Sequence, residues 1–284
     1  GGAGVGGGWV HADSAPVTVG PMGDAQGGSS GQRPTSVVLV PGAWMGGWIW
    51  APAVAALRGF GHRPRTLTLA GLRSDPPDHD RASVRLADHV AELVALLDAE
   101  WADGADGAVL VSHSYSATVT AQAADRRPGF VRGLIHVGGS LPVHGRALID
   151  DWGTSDAERA AERAVIAAAG GLWAPPTRDD LAAVPDLAEA DRARLTRRLV
   201  PHPGRTVTDP AVLSAPLSAQ PTTYVALGTG GGSAARADLP PPAREARRSG
   251  AWRVRALAAG HWPMLTAFDD LVRLLDAEIR AHTA

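Results

Sequence analysis

The stretch that decides the fold is Val109-Leu-Val-Ser-His-Ser-Tyr-Ser-Ala-Thr118. A fully apolar run leads into small residues around Ser114, and a helical pattern starts immediately afterwards. A strand, a sharp turn through a serine and a helix form the arrangement that raises a hydroxyl above the carboxyl end of a parallel sheet. Ser112 and Ser116 stand where such a turn usually has glycine, and serine is still small. The same hydroxyls would also suit a simple helix cap, so this stretch alone leaves a nucleophile and a cap as two interpretations of Ser114.

Short apolar strands and helical patterns alternate on both sides of this turn. Strands are predicted at 35–40, 65–69, 108–111, 131–137, 222–227 and 252–257, and helices at 50–58, 83–100, 115–124, from 241 and at 267–282. This alternation predicts an α/β fold with a mainly parallel sheet flanked by helices.

Two segments depart from the alternation. Residues 142–209 show helical patterns and no strand, which predicts a helical cap over one edge of the sheet. The core would then comprise 35–141 and 210–284. Residues 1–34 are rich in glycine and without periodicity, so we expect a flexible tail rather than a signal peptide.

The amino-acid composition excludes several kinds of chemistry and argues against some classes of partner. The chain has 284 residues, 45% of them hydrophobic, a net charge of -2 and no cysteine, and its basic residues are all arginine. This excludes disulfides, a cysteine nucleophile and lysine Schiff-base chemistry. Near-neutral charge and the lack of a long apolar run argue against nucleic acid and membrane partners. We therefore expect a cytoplasmic protein with a small-molecule substrate, and homodimerisation stays open.

The loop after the first strand offers backbone donors. Its sequence is Val40-Pro-Gly-Ala-Trp44, and a glycine at this point lets the chain turn sharply and expose N–H groups. The amides of Ala43 and Tyr115 could together form an oxyanion hole. The alternative is a glycine-rich turn in which the tryptophans only pack.

A histidine follows the last strand. Gly260-His261 places an imidazole on a loop at the carboxyl edge of the sheet, the edge that also carries Ser114. Among ten histidines, His261 is distinguished by this position, because serine first and histidine after the last strand is a chain order of serine hydrolases. We expect it to act as general base and then as acid.

Tryptophan dominates the aromatic residues, with nine against three Phe and two Tyr. Trp44, Trp152 and Trp262 are predicted to meet at the same sheet edge and to line a pocket for a bulky apolar substrate. Core packing is the alternative role. We find no metal-ligand cluster and no dinucleotide motif, so no cofactor is expected.

Taken together, three segments resemble the α/β-hydrolase fold, in particular the plant methylesterases and hydroxynitrile lyases with their bacterial esterase relatives. The segments are Val38–Trp50, Ser112–Ala117 and Gly260–Leu265, within a resemblance that covers about residues 35–282. The resemblance implies an α/β-hydrolase fold with a helical cap and a serine esterase or thioesterase acting on an apolar ester or acyl substrate.

The chain also departs from that family. Trp262 stands where the hydroxynitrile lyases carry a catalytic lysine, which argues against cyanohydrin cleavage. The position of the family's acid falls on Gly230 or, if the alignment slides, on Ala235. Asp238 is the one carboxylate of that loop before the next helix, and we take it as the candidate acid.

The missing acid keeps three interpretations open. The first is a serine esterase or thioesterase in bacterial secondary metabolism. The second is a non-hydrolytic lyase, dehydratase or cyclase of natural-product biosynthesis on the same scaffold. The third is a ligand-binding protein without catalysis.

Overall fold

A six-stranded, fully parallel sheet forms the centre of the protein in a computed structural model, which describes residues 35–74, 80–228 and 239–284. The sheet order is β2-β1-β3-β4-β7-β8. The bounds are β1 Thr35–Val40, β2 Arg63–Thr66, β3 Gly107–His113, β4 Val131–Val137, β7 Thr222–Leu227 and β8 Arg253–Leu257; a separate antiparallel pair consists of β5 Leu172–Trp173 and β6 His202–Pro203.

Helices cover both faces of the sheet. They are α1 Ala51–Gly59, α2 Leu86–Ala102, α3 Ser116–Arg126, α4 Asp156–Ala168, α5 Arg178–Ala182, α6 Glu189–Arg198, α7 Arg205–Thr208, α8 Pro241–Ser249, α9 Pro263–Thr266 and α10 Phe268–Thr283. The predicted α/β architecture is therefore confirmed.

The core has two main layers because successive side chains of a strand point to opposite faces. Val37 and Leu39 of β1 pack with residues of α1 and α10, whereas Val38 and Val40 pack with residues of α2 and α3. Both faces of the central strands are thus buried, which explains why their sequences are continuously apolar rather than alternating.

The register of the central strands brings the predicted site segments to one edge. Val40 pairs with Ser112, and His113 pairs with Val137. The loops that leave β1, β3 and β4 therefore start side by side at the carboxyl edge of the sheet.

Two details differ from the sequence prediction. The second strand occupies Arg63–Thr66 instead of 65–69, because pairing with β1 starts at Ser36 opposite Arg63. Residues 142–209, called the cap segment below, were expected to contain no strand, yet they carry β5 and β6. The pair forms because Leu172 and Trp173 find partners about thirty residues away, which helical periodicity does not reveal.

The remaining domain boundaries stay a prediction, and the predicted tail at 1–34 lies outside the described residues. Within the described part of the chain, the helices are too short or too polar to cross a bilayer.

Candidate active site

Ser114 lies on a strained turn between β3 and α3. Its φ is +52°, in the left-handed region that residues other than glycine rarely adopt. The turn is held by a hydrogen bond from the Ser114 N–H to the Val137 carbonyl at 3.2 Å. On the β4 side Gly139, with φ +87°, lies against the Ser114 backbone so closely that a Cβ there would collide with it. Strain kept in place by surrounding contacts is typical of functional positions.

The two serines that flank the turn have internal partners. Ser116 Oγ accepts from the His113 N–H at 2.9 Å and lies 2.8 Å from the Val40 carbonyl, to which it can donate. Ser112 Oγ lies 2.6 Å from His136 Nδ1. Both serines are fully buried, so they tie the turn to its neighbours and leave Ser114 as the hydroxyl of the turn that can meet a substrate.

His261 lies in the loop between β8 and α9, and its side chain is exposed to solvent. The surrounding protein displaces enough water to lower the pKa of His261 below its usual value. No residue of the described ranges, Ser114 included, forms a hydrogen bond with its ring. The loop is instead joined to the turn by His113, whose Nε2 lies 2.7 Å from the His261 carbonyl and whose ring centre is 5.0 Å from that of His261.

The hydrogen bond and the burial of His113 fix its tautomer and its protonation state. A carbonyl only accepts, so Nε2 carries the proton and donates it to the His261 carbonyl. Burial, together with the nearby His261, lowers the pKa of His113 to about 3, which keeps the ring neutral. The residue directly before Ser114 thus fixes the backbone of His261.

The predicted acid cannot be placed, since Asp238, with Gly230 and Ala235, lies outside the described residues. A different carboxylate, Asp186, contacts the His261 loop and accepts from the Gly260 N–H at 2.7 Å. It holds the backbone beside His261. Sequence reasoning missed this residue because it lies 74 positions away in the cap segment.

Two backbone amides next to Ser114 are free. The N–H groups of Ala43 and Tyr115, the pair predicted from the sequence, have no acceptor among the described residues. Tyr115 is also the N-cap residue of α3, so the positive end of the helix dipole lies at its amide. Both amides are therefore available to an oxyanion.

Three tryptophans meet beside these amides. The ring centre of Trp173 is 4.1 Å from that of Trp44 and 4.6 Å from that of Trp152. The sequence placed Trp44 and Trp152 at the site; Trp173, which it did not assign there, is the central member of the group. Its partial burial leaves aromatic surface for an apolar ligand.

Trp262 lies elsewhere. It is 6% exposed and packs in the core layer that contains α1 and α10, with its ring edge-on to His261 at 5.0 Å. Trp44 and Trp152 pack against the other core layer, and a pocket lined by all three tryptophans stays a prediction. The Trp262 ring thus packs against the His261 ring.

A cleft of about 1120 Å³ lies between the cap segment and the sheet edge. Gly139 borders it on the sheet side, and Leu141, Leu213 and Leu217 supply part of an apolar lining. Gly139 lies against the Ser114 backbone, so the cleft begins one residue away from the turn that carries Ser114. Over the described ranges, no group of three or more His, Asp and Glu side chains could hold a metal ion.

A strained serine above parallel strands, two free amides and a histidine on the last loop define a class of enzyme scaffold. The family model described as alpha/beta hydrolase family matches residues 37–274, and the chain belongs to this family.

Particular relatives can then be named. The chain is 36% identical over 112 residues to a carbendazim hydrolyzing esterase from Nocardioides sp. (strain SG-4G), a match covering 39% of this chain and 45% of that enzyme. The chain thus matches less than half of the length of this curated relative. Among solved structures, it resembles an extracellular alpha/beta-hydrolase from a Paenibacillus species, with 18% identity, a TM-score of 0.69 and coverage of 85% and 98% of the two chains. Tomato methylketone synthase I gives 18% identity, a TM-score of 0.64 and coverage of 88% and 99%. At this identity, both structures support the fold alone.

Proposed function

We propose that the protein is a serine esterase for small-to-medium apolar esters or acyl compounds. The observation that carries this proposal is the strained Ser114 next to two amides, those of Ala43 and Tyr115, that find no acceptor in the part of the chain that the structure describes. The partial sequence match to an esterase supports the same reaction class.

The chemistry follows from the charges that develop. Ser114 Oγ attacks the ester carbonyl while His261 removes its proton, and negative charge appears on the carbonyl oxygen. The amides of Ala43 and Tyr115 donate to this oxygen, and such a donor is worth ~10²–10³ in kcat. His261 then protonates the departing alkoxide, and a water molecule, deprotonated by His261, releases the acid from Ser114. The lowered pKa of His261 keeps it unprotonated at neutral pH, as a base must be.

The substrate class rests on the aromatic group formed by Trp44, Trp152 and Trp173. Aromatic rings favour a bulky apolar or aromatic acyl group. A cytoplasmic location and a place in bacterial secondary metabolism belong to the proposal as sequence-based expectations.

The test combines labelling with turnover. A fluorescent alkyl phosphonate should label the wild type at Ser114, and p-nitrophenyl butyrate should be hydrolysed. Ser114→Ala should lose both labelling and hydrolysis, whereas Ser249→Ala, an exposed serine at the end of α8, should keep both. Labelling that survives Ser114→Ala, or a wild type inert to both reagents, contradicts the esterase.

A second candidate is a lyase, dehydratase or cyclase in which His261 acts as a lone acid/base. The observation that favours it is the lack of a carboxylate on the His261 ring among the described residues. Full turnover of the physiological substrate by Ser114→Ala, with loss in His261→Ala, would select this candidate. A protein that binds its ligand but turns over nothing would correspond to the ligand-binding alternative.

A further inference from the structure

Trp44, the residue directly after Ala43, is held in an unfavourable conformation. Its φ is +63°, in the left-handed region that a residue with a bulky side chain adopts only under strain. Such a conformation persists only when its surroundings impose it. The question is therefore which groups hold Trp44.

All three hydrogen-bonding groups of Trp44 are held by the cap segment. Its N–H donates to His202 Nδ1 at 3.2 Å, and its carbonyl accepts from the Val200 N–H at 3.1 Å. Its indole N–H donates to the Trp173 carbonyl at 3.2 Å. The peptide unit between Ala43 and Trp44 is thus held by residues outside the core, and it is joined through the Ala43 Cα to the peptide unit that carries the Ala43 N–H.

The hydrogen-bond pattern allows one form of His202. A backbone amide only donates, so Nδ1 is unprotonated and Nε2 carries the proton. Nε2 lies 2.8 Å from Thr206 Oγ1, and that hydroxyl donates to the Pro203 carbonyl at 2.7 Å. The ring is fully buried, and burial with the neighbouring His89 keeps the pKa of His202 well below its usual value. The neutral ring with an accepting Nδ1 is therefore the resting form.

His202 also touches the second donor residue. Its ring packs edge-on against the ring of Tyr115, with 4.5 Å between the ring centres. The Tyr115 hydroxyl is fixed in turn, because it lies 2.8 Å from His89 Nδ1 while His89 Nε2 lies 2.7 Å from the Ala70 carbonyl. One buried imidazole of the cap segment thus contacts the residues on both sides of the oxyanion site.

We propose that His202 is a positioning residue that sets the oxyanion hole through the Trp44 backbone and the Tyr115 ring. This inference rests on the proposed function, since it assumes that the Ala43 and Tyr115 amides bind an oxyanion. In this arrangement the cap segment assembles half of the catalytic machinery, in addition to covering the substrate.

Two substitutions of similar size separate the acceptor from the rest of the ring. His202→Asn places an amide oxygen near the position of Nδ1 and keeps an acceptor for the Trp44 N–H. His202→Gln places its amide nitrogen near Nε2, which keeps the donor to Thr206 and removes the acceptor. Neither side chain can ionise, and thermal melting shows whether each variant is folded.

Kinetics of p-nitrophenyl butyrate hydrolysis give the first test. His202→Gln should lower kcat by ~10–100-fold with KM nearly unchanged, because the lost alignment acts on the transition state. The affinity for a trifluoromethyl ketone, which forms a tetrahedral oxyanion, should fall in parallel. His202→Asn should stay within ~3-fold of the wild type in both measurements. Equal losses in both variants, or a loss confined to KM, would overturn the positioning role.

Two additions strengthen the test. A further variant, Thr206→Ala, leaves His202 itself unchanged, and an NMR measurement does not depend on esterase activity. Thr206→Ala removes the partner of Nε2 and leaves the Nδ1 acceptor in place, so it should lower kcat by no more than ~3-fold at constant KM, as His202→Asn does. In ¹⁵N-labelled protein, the amide signal of Ala43 should move in His202→Gln and stay in place in His202→Asn, whereas that of Tyr115 should move in both variants because both lose the ring that packs against it. This NMR comparison needs no substrate: an inert wild type contradicts the esterase, whereas an Ala43 amide signal that responds alike in both variants contradicts the positioning role of His202.

Discussion

Lowering the pH from 7.5 to 5.5 should remove a large part of the stability of this protein. Four histidines are fully buried on different elements: His89, His113, His136 and His202. Burial is the main cause of a lowered pKa in each, to about 4 for His89, to about 3 for His113 and His136, and well below the usual value for His202.

The sign and the size of this change in the free energy of unfolding follow from the protons that the histidines bind on unfolding. The unfolded chain binds these protons near pH 6.5 and the folded protein does not, so stability is lost as the pH falls through 6.5. At pH 5.5 each unfolded histidine is about 90% protonated, which favours unfolding by ~1.4 kcal/mol regardless of how far below 5.5 the folded pKa lies. Four such groups amount to ~5 kcal/mol, against a total stability of about 5–15 kcal/mol for a typical domain. Carboxylates with lowered pKa, such as Glu278, act only at more acidic pH.

Urea unfolding at pH 7.5, 6.5 and 5.5 measures this loss. His136→Asn keeps an acceptor for Ser112 Oγ and should make the loss smaller by ~1.4 kcal/mol. Ser249→Ala, a change at an exposed residue that does not titrate, is the control and should leave the pH dependence as it is. A free energy of unfolding that changes by less than ~1.5 kcal/mol over this range would refute the reasoning, since even two neutral buried histidines exceed that value.

Further predictions concern the site itself. Ser114→Gly should be more stable than Ser114→Ala by ~1 kcal/mol in urea unfolding, because glycine adopts φ +52° without strain while both variants lose hydrolysis; equal stabilities would show that the turn is unstrained. Asp238→Asn should lower kcat by ~10²–10⁴-fold if this carboxylate orients the imidazole. In the same variant the acidic limb of the pH profile of kcat/KM should move below pH 6.5, because desolvation by the surrounding protein then determines the pKa of His261. A kcat and a pH profile equal to those of the wild type would exclude Asp238 as the acid that orients the imidazole. Asp186→Asn should lower kcat less than ~10-fold, since Asp186 contacts the Gly260 backbone and not the imidazole, and a loss equal to that of Asp238→Asn would identify Asp186 as the acid.

The sheet and the turn at Ser114 were predictable because their causes are local. An apolar run of about six residues followed by small residues and a helical period is encoded within about ten positions. The Ala43 and Tyr115 amides, which have no acceptor within residues 35–74, 80–228 and 239–284, follow from the same kind of pattern, since each lies in a turn next to a buried strand. The order of segments along the chain was enough to bring His261 to the same sheet edge.

Other features depend on partners that are distant in sequence. The contact between Trp44 and His202 spans 158 positions, and that between Gly260 and Asp186 spans 74. No local pattern marks His202 or Asp186, because a hydrogen bond forms wherever packing brings donor and acceptor together. The layer that receives Trp262 likewise depends on how the last loop leaves the sheet. The sequence by itself therefore determined the scaffold and the candidate reacting groups, through local periodicity and turn chemistry. Only the tertiary structure decided how the cap segment contacts them, because those contacts join elements that are far apart in the chain.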